Sequence, residues 1–200
     1  MHISEGVLPG SFLIGGWCIS GFFLLLSLKR VSAEKLPRLA LLSSLFFLIS
    51  LIHIPLGPTS THLTLNGLLA ILLGLEIFPA IFIALLFQAL FFQYGGLTVL
   101  GVNTLTMALP PYLLVLFLKK FLKDNSKVFK LISFLIGSLS ILLSGFLMAL
   151  ILWLANPKFY FLSTAFVISY LPLSLVEGII TVFVLSYLKK IKKGELICCP

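Results

Sequence analysis

From Gly10 onward the chain is a succession of apolar stretches that approach or exceed the roughly 20 residues a bilayer core demands. No other feature limits the fold as strongly. Hydrophobic residues make up 60% of the 200, only 10% are charged, and the mean hydropathy is +1.20, far from the mix of a soluble domain. Lipid offers no partner to an exposed peptide group, so each span satisfies its backbone internally and is predicted helical. The expected architecture is an all-α membrane protein of about seven transmembrane helices, at 10–28, 39–54, 63–75, 77–93, 102–121, 131–154 and 163–188. Gly74-Leu75-Glu76 and Pro79 interrupt what would otherwise be one long run, which shortens the third and fourth. Residues 1–200 are expected to form a single transmembrane domain, with no room left for an ectodomain.

Charge gives an independent reading of topology, because short cytoplasmic loops collect Lys and Arg. Lys29, Arg30, Lys35 and Arg38 follow the first span, Lys119, Lys120, Lys123, Lys127 and Lys130 the fifth, and Lys189, Lys190, Lys192 and Lys193 the last. Only Lys158 falls opposite. The N-terminus is therefore expected outside and the C-terminus in the cytoplasm, and the net +8 reflects this sidedness and contact with anionic lipid. Nucleic acid is not an expected partner, since no basic soluble surface exists.

The most specific chemistry is at the start. In Met1-His2 the terminal amine, the His2 amide and the His2 imidazole stand in sequence, and binding a cation through them closes a five-membered and then a six-membered ring. An amide nitrogen ligates only after losing its proton, which Ni(II) and Cu(II) promote and Mg(II) or Ca(II) do not. One further imidazole completes a square, and the other histidines are His53 and His62. MHISEGVLPG is too short and too interrupted to span, yet extended it reaches about 33 Å. Folded back between helices, as protein-lined membrane segments are, it places the N-terminus toward the centre of the bundle. It does not read as a signal peptide, since no basic residue precedes the apolar segment.

MHISEGVLPG, GPTSTHL at 57–63, GGLTVLGVN at 95–103 and LPLSLVEGIIT at 171–181 occur in the order found in the CbiM/NikM family, which the chain resembles over essentially its whole length. These are the membrane substrate-binding components of energy-coupling-factor transporters for cobalt and nickel. The resemblance implies that Met1, His2 and His62 hold the metal, which is the transported ligand and not a cofactor. It also implies a transmembrane scaffold subunit, two ATPase subunits and a separate small membrane subunit as partners, in a prokaryotic plasma membrane. Tyr170 and Thr106 depart from the family pattern, which has His or Gln and Asn there. No Walker-type loop is present, so ATP hydrolysis belongs to partners and the chain is not an enzyme. The alternatives are a component for an organic micronutrient and a membrane-embedded enzyme, for which Glu177 and Ser174 are too sparse a set.

Supporting residues follow from chemistry. His53, in the last turn of the second span, is structural or a support to the ligands. Ser60, Thr98 and Asn103 can hydrogen-bond ligand imidazoles and fix their direction. Glu5 either orients His2 and the amine or is a solvated loop acid. Glu177 lies mid-span, where an ionisable group faces protein, and reads as a packing acid more readily than as a ligand. Gly95-Gly96 reads as a turn. Cys18 reads as a packing residue of the first span, and Cys198 and Cys199 as reduced cytoplasmic thiols. Gly16 with Ser20, and Ser140 with Ser144, form small faces for close helix contact.

Overall fold

The computed structural model describes residues 2–56, 59–122 and 126–191. Seven α-helices carry the fold: α1 (Gly10–Leu28), α2 (Leu36–Ser50), α3 (Asn66–Leu73), α4 (Ile77–Phe92), α5 (Leu100–Leu118), α6 (Ser126–Ala155) and α7 (Tyr160–Ile191). Among the described residues, five helical stretches are long and apolar enough to cross a membrane: α1, the run from α3 through α4, α5, α6 and α7. The expectation of seven separate crossings is thereby reduced. With eight residues, α3 rises about 12 Å, well short of a hydrocarbon core of about 30 Å. At fifteen residues α2 is also shorter than the spans.

The break between α3 and α4 falls at Gly74–Glu76, where the sequence places it. Gly74 has φ +58°, a left-handed turn that removes the helical ladder without a Cβ penalty. At its other end α3 starts from Leu65, also left-handed with φ 50°. Every residue of α3 is buried, so this short helix is the centre of the bundle and not a lipid-facing span.

The all-helical class holds, with one short strand pair added to it. Between α2 and α3 lie two strands, β1 (His53–Leu56) and β2 (Thr59–His62), paired antiparallel with His53 opposite His62. Thus α2 ends at Ser50, and His53 is not in its last turn. The physical reason is Pro55, which lacks an N–H to donate and biases the residue before it toward extended backbone.

Close helix contact rests on small residues. A Cβ on Gly16 would meet Val102 of α5, and one on Gly101 would lie 2.8 Å from the Trp17 backbone of α1. Ser20 is buried beside Gly16 on α1. Ser144 accepts a hydrogen bond from Asn66 Nδ2 at 3.1 Å, so both predicted small faces are spent on packing inside the bundle. Cys18 instead points outward from α1, together with Ile14, Phe22 and Leu25. Its reading as a packing residue of the first span is not supported within this bundle.

The two ends of the bundle differ in charge. Arg30, Lys35 and Lys119 line one cavity with Gly74 and Glu76, so the ends of α1 and α5 meet the α3–α4 break. There Lys35 Nζ pairs with Glu76 Oε1 at 2.6 Å. Lys189 of α7 sits over the Phe129 ring of α6, 4.6 Å from its centroid, at the same end. The N-terminal segment lies at the other. Residues 192–200, with Cys198 and Cys199, fall outside the described residues.

Candidate metal site

Residues 2–8 fold back into the bundle, where Ile3 and Leu8 are buried. Asn103 of α5 holds this segment: its Oδ1 accepts from the Ile3 amide at 3.0 Å and its Nδ2 donates to the Ile3 carbonyl at 3.1 Å. A carboxamide carries one donor and one acceptor in plane, and a peptide offers their complement. The adjoining loop supplies a second hold. The Glu5 amide donates to the Gly95 carbonyl at 3.2 Å, and Glu5 Oε1 accepts from the Thr98 amide at 3.0 Å. Gly96, with φ +146°, lies so close to Glu5 that a Cβ there would overlap its side chain.

These clamps deliver His2 to His62. The two imidazoles stack with centroids 5.0 Å apart and planes 29° from parallel. His2 Nε2 lies 2.7 Å from Gln88 Oε1 of α4, and Gln88 Nε2 donates to Ser50 Oγ of α2. His62 Nδ1 is 3.3 Å from the Leu63 carbonyl, and the side chain is 1% exposed. The rings come from opposite ends of a 60-residue separation.

His62 is set in place from behind by Glu177 of α7. Its Oε1 accepts from the Thr64 amide at 2.6 Å, the Thr64 hydroxyl at 2.9 Å and the Leu65 amide at 3.1 Å. Two of those donors are backbone N–H groups at the start of α3 that no earlier turn of helix can satisfy. Glu177 is fully buried and acts as a packing acid, capping α3 from another helix and fixing the segment that follows His62. Replacing it by Leu orphans buried donors at a cost of about 1–3 kcal/mol each, whereas Glu177→Gln keeps the acceptor. Thermal unfolding in detergent is expected to show a large drop for Glu177→Leu and a small one for Glu177→Gln; equal midpoints for Glu177→Leu and the native chain would refute the cap.

The other expected site residues sort by what they touch. Asn103 holds the Ile3 peptide, and Thr98 uses its backbone, taking Glu5 through its amide and the Trp17 indole N–H through its carbonyl at 2.9 Å. Glu5 binds the loop and so orders the N-terminal segment as a whole. Thr106 donates to the Asn103 carbonyl at 3.0 Å, and Tyr170 packs over Gly145, where a Cβ would collide with its ring. His53 and Ser60 are placed only by their strands, and Met1 lies outside the described residues. Among the described residues no three His, Cys, Asp or Glu side chains converge as a metal cluster. Gln88 and Ser50 were not expected. Yet Gln88 is the sole strongly polar side chain in the sixteen residues of α4, and a polar group at such depth signals a partner.

Residues 2–194 match the family described as CbiM, cobalt uptake substrate-specific transmembrane region. A Haemophilus influenzae protein named for metal transport is 36% identical over 193 residues, which are 95% of this chain and 94% of its own. The cobalt transport protein CbiM of Clostridium tetani is 32% identical, covering 98% of this chain and 87% of its own. A crystal structure of a truncated transition metal transporter superposes with TM-score 0.80 at 25% identity, covering 95% of this chain and 99% of that one. A second transition metal transporter, 24% identical, shares the fold with TM-score 0.83 over 98% of this chain and 95% of its own.

Proposed function

We propose, from the premise that this chain belongs to the CbiM family and is a substrate-specific transmembrane component of metal uptake, that it captures Ni2+ or Co2+ through its own N-terminus. The ligands are the Met1 amine, the His2 amide nitrogen, the His2 imidazole and the His62 imidazole. The observation that carries the reading is the stacking of His2 on His62 at 5.0 Å. Two imidazoles at that separation, one attached to a terminus that supplies two further nitrogens, offer a four-nitrogen set. Such a set suits Ni(II) and related ions.

The relatives are named as transport proteins, which supports reading the chain as a multi-pass prokaryotic membrane transport subunit and not as an enzyme. As the substrate-binding part of such a transporter it works with partner subunits. In our reading these are a transmembrane scaffold, two ATPases and a small membrane subunit, of the energy-coupling-factor type. The N-terminus faces outside and the basic end faces the cytoplasm, as the positive-inside rule directs. Capture then occurs at the outer face and release follows reorientation of the bundle.

Metal analysis and electronic spectra of the purified protein after growth with each ion test the reading directly. One equivalent of nickel or cobalt with strong-field, planar nitrogen spectra is expected; oxygen-ligand spectra, or no retained metal, would overturn it. Binding also displaces protons from the amine and the amide, so affinity is expected to fall as pH drops below about 7. Calorimetry in buffers of differing ionisation enthalpy checks this. Heats independent of the buffer would exclude an amide ligand.

A further inference from the structure

We infer that Gln88 and Ser50 are positioning residues that fix the tautomer of His2, so that its Nδ1 and not its Nε2 carries the lone pair offered to the cation. The inference deepens the proposed function and rests on its ligand set. It follows from the direction of a short hydrogen-bond chain running from His2 through α4 into α2.

The chain ends at a group with one possible role. Ser50 Oγ lies 2.8 Å from the Phe47 carbonyl, which only accepts, so the Ser50 hydroxyl proton points there. Its oxygen lone pairs then face Gln88 and accept from the Gln88 amide Nε2–H. With its NH2 turned to Ser50, Gln88 presents Oε1 to His2 at 2.7 Å. A carbonyl oxygen can only accept, so His2 Nε2 must hold the proton. In a neutral imidazole the other nitrogen, Nδ1, is then the acceptor.

That outcome matters because of covalent geometry. The ring closed by the His2 amide nitrogen, Cα, Cβ, Cγ and Nδ1 with the cation has six members, and the same closure through Nε2 is too wide for a planar chelate. The proton therefore sits on the nitrogen that cannot chelate. The device is also protected from water: Gln88 is fully buried and Ser50 is 1% exposed. A carboxamide is suited to the task because it does not titrate, and its two ends are unlike, so a single hydroxyl behind it decides which end faces the ring. His62 is handled in the same sense, its Nδ1 facing the Leu63 carbonyl, which leaves Nε2 as the ligating nitrogen.

The test reads the tautomer before any metal is added. The chain has three histidines, so 15N-labelled imidazoles of the metal-free, full-length protein in detergent can be assigned by substituting His53 and His62. The native protein is expected to show His2 as the Nε2–H form. Ser50→Ala touches neither ring but frees the Gln88 amide to turn, and Gln88→Leu removes the acceptor; both are expected to populate Nδ1–H at His2. Nickel affinity should fall with it, by about 10 to 100-fold as for other outer partners of metal-bound histidine. Gln88→Glu keeps an acceptor and is expected to restore the Nε2–H form. A native His2 in the Nδ1–H form, or an unchanged Nε2–H signal in both Ser50→Ala and Gln88→Leu, would overturn the inference. Failure of the ligand set itself is told apart by His62→Ala, which should lose metal while leaving the His2 tautomer unchanged.

Discussion

An N-acetylated chain is expected to lose high-affinity nickel and cobalt binding while keeping its membrane fold. Acetylation turns the Met1 amine into an amide, whose nitrogen ligates only after losing a proton, and no free amine is left to anchor the cation first. Both chelate rings depend on that nitrogen or share an atom with the ring that does. The loss is therefore expected to exceed the roughly 10 to 100-fold typical of an outer partner. The fold should survive because the N-terminal segment is held downstream of Met1, by Asn103 on the Ile3 peptide and by Gly95 and Thr98 on Glu5. Isothermal titration of a homogeneous acetylated sample, with thermal unfolding as the control, checks both halves. Undiminished metal binding by such a sample would sink the proposal and favour a ligand such as an organic micronutrient, which has no need of a free amine.

Replacing His62 by Ala is expected to cost far more metal affinity than replacing His53. The comparison is demanding because the two are register partners in the β1–β2 pair, so a general disturbance of that pair affects both variants. His62 is stacked on His2, and removing one of four donors from a rigid site should exceed any supporting effect. Glu177 holds the segment behind His62 through Thr64 and Leu65, and that hold does not use the imidazole. His62→Ala should accordingly remain monodisperse and near native stability. Equal affinities, or a greater loss for His53→Ala, would move the site toward β1.

Part of the proposed site rests on residue types alone. Met1-His2 announces a chelate because its donors are joined by covalent bonds of known length, and no folding is needed to bring them together. The Gly74–Glu76 break was legible for a similar local reason, since a glycine with φ +58° needs no distant partner to end a helix. The β1–β2 pair was not legible. Four-residue strands carry too few positions for an alternating pattern, and an apolar run ending in His53 reads as more helix. Gln88 gave a signal that went unused: a lone carboxamide among fifteen other residues of α4, nearly all apolar, which cannot be left unsatisfied at membrane depth.

By itself the sequence determined the solvent, the helical backbone that this solvent requires, the side on which positive charge collects, and a terminus able to chelate a transition metal. These follow from composition, run length and covalent spacing, quantities that belong to the chain before it folds. Only the tertiary structure decided that His62 is the imidazole beside His2, that Asn103 grips the Ile3 peptide, and that Glu177 caps α3. Those contacts join residues 60, 100 and 113 positions apart, and their strength depends on exclusion of water and alignment of donor with acceptor. Neither exists until α3, α4, α5 and α7 have packed around one another.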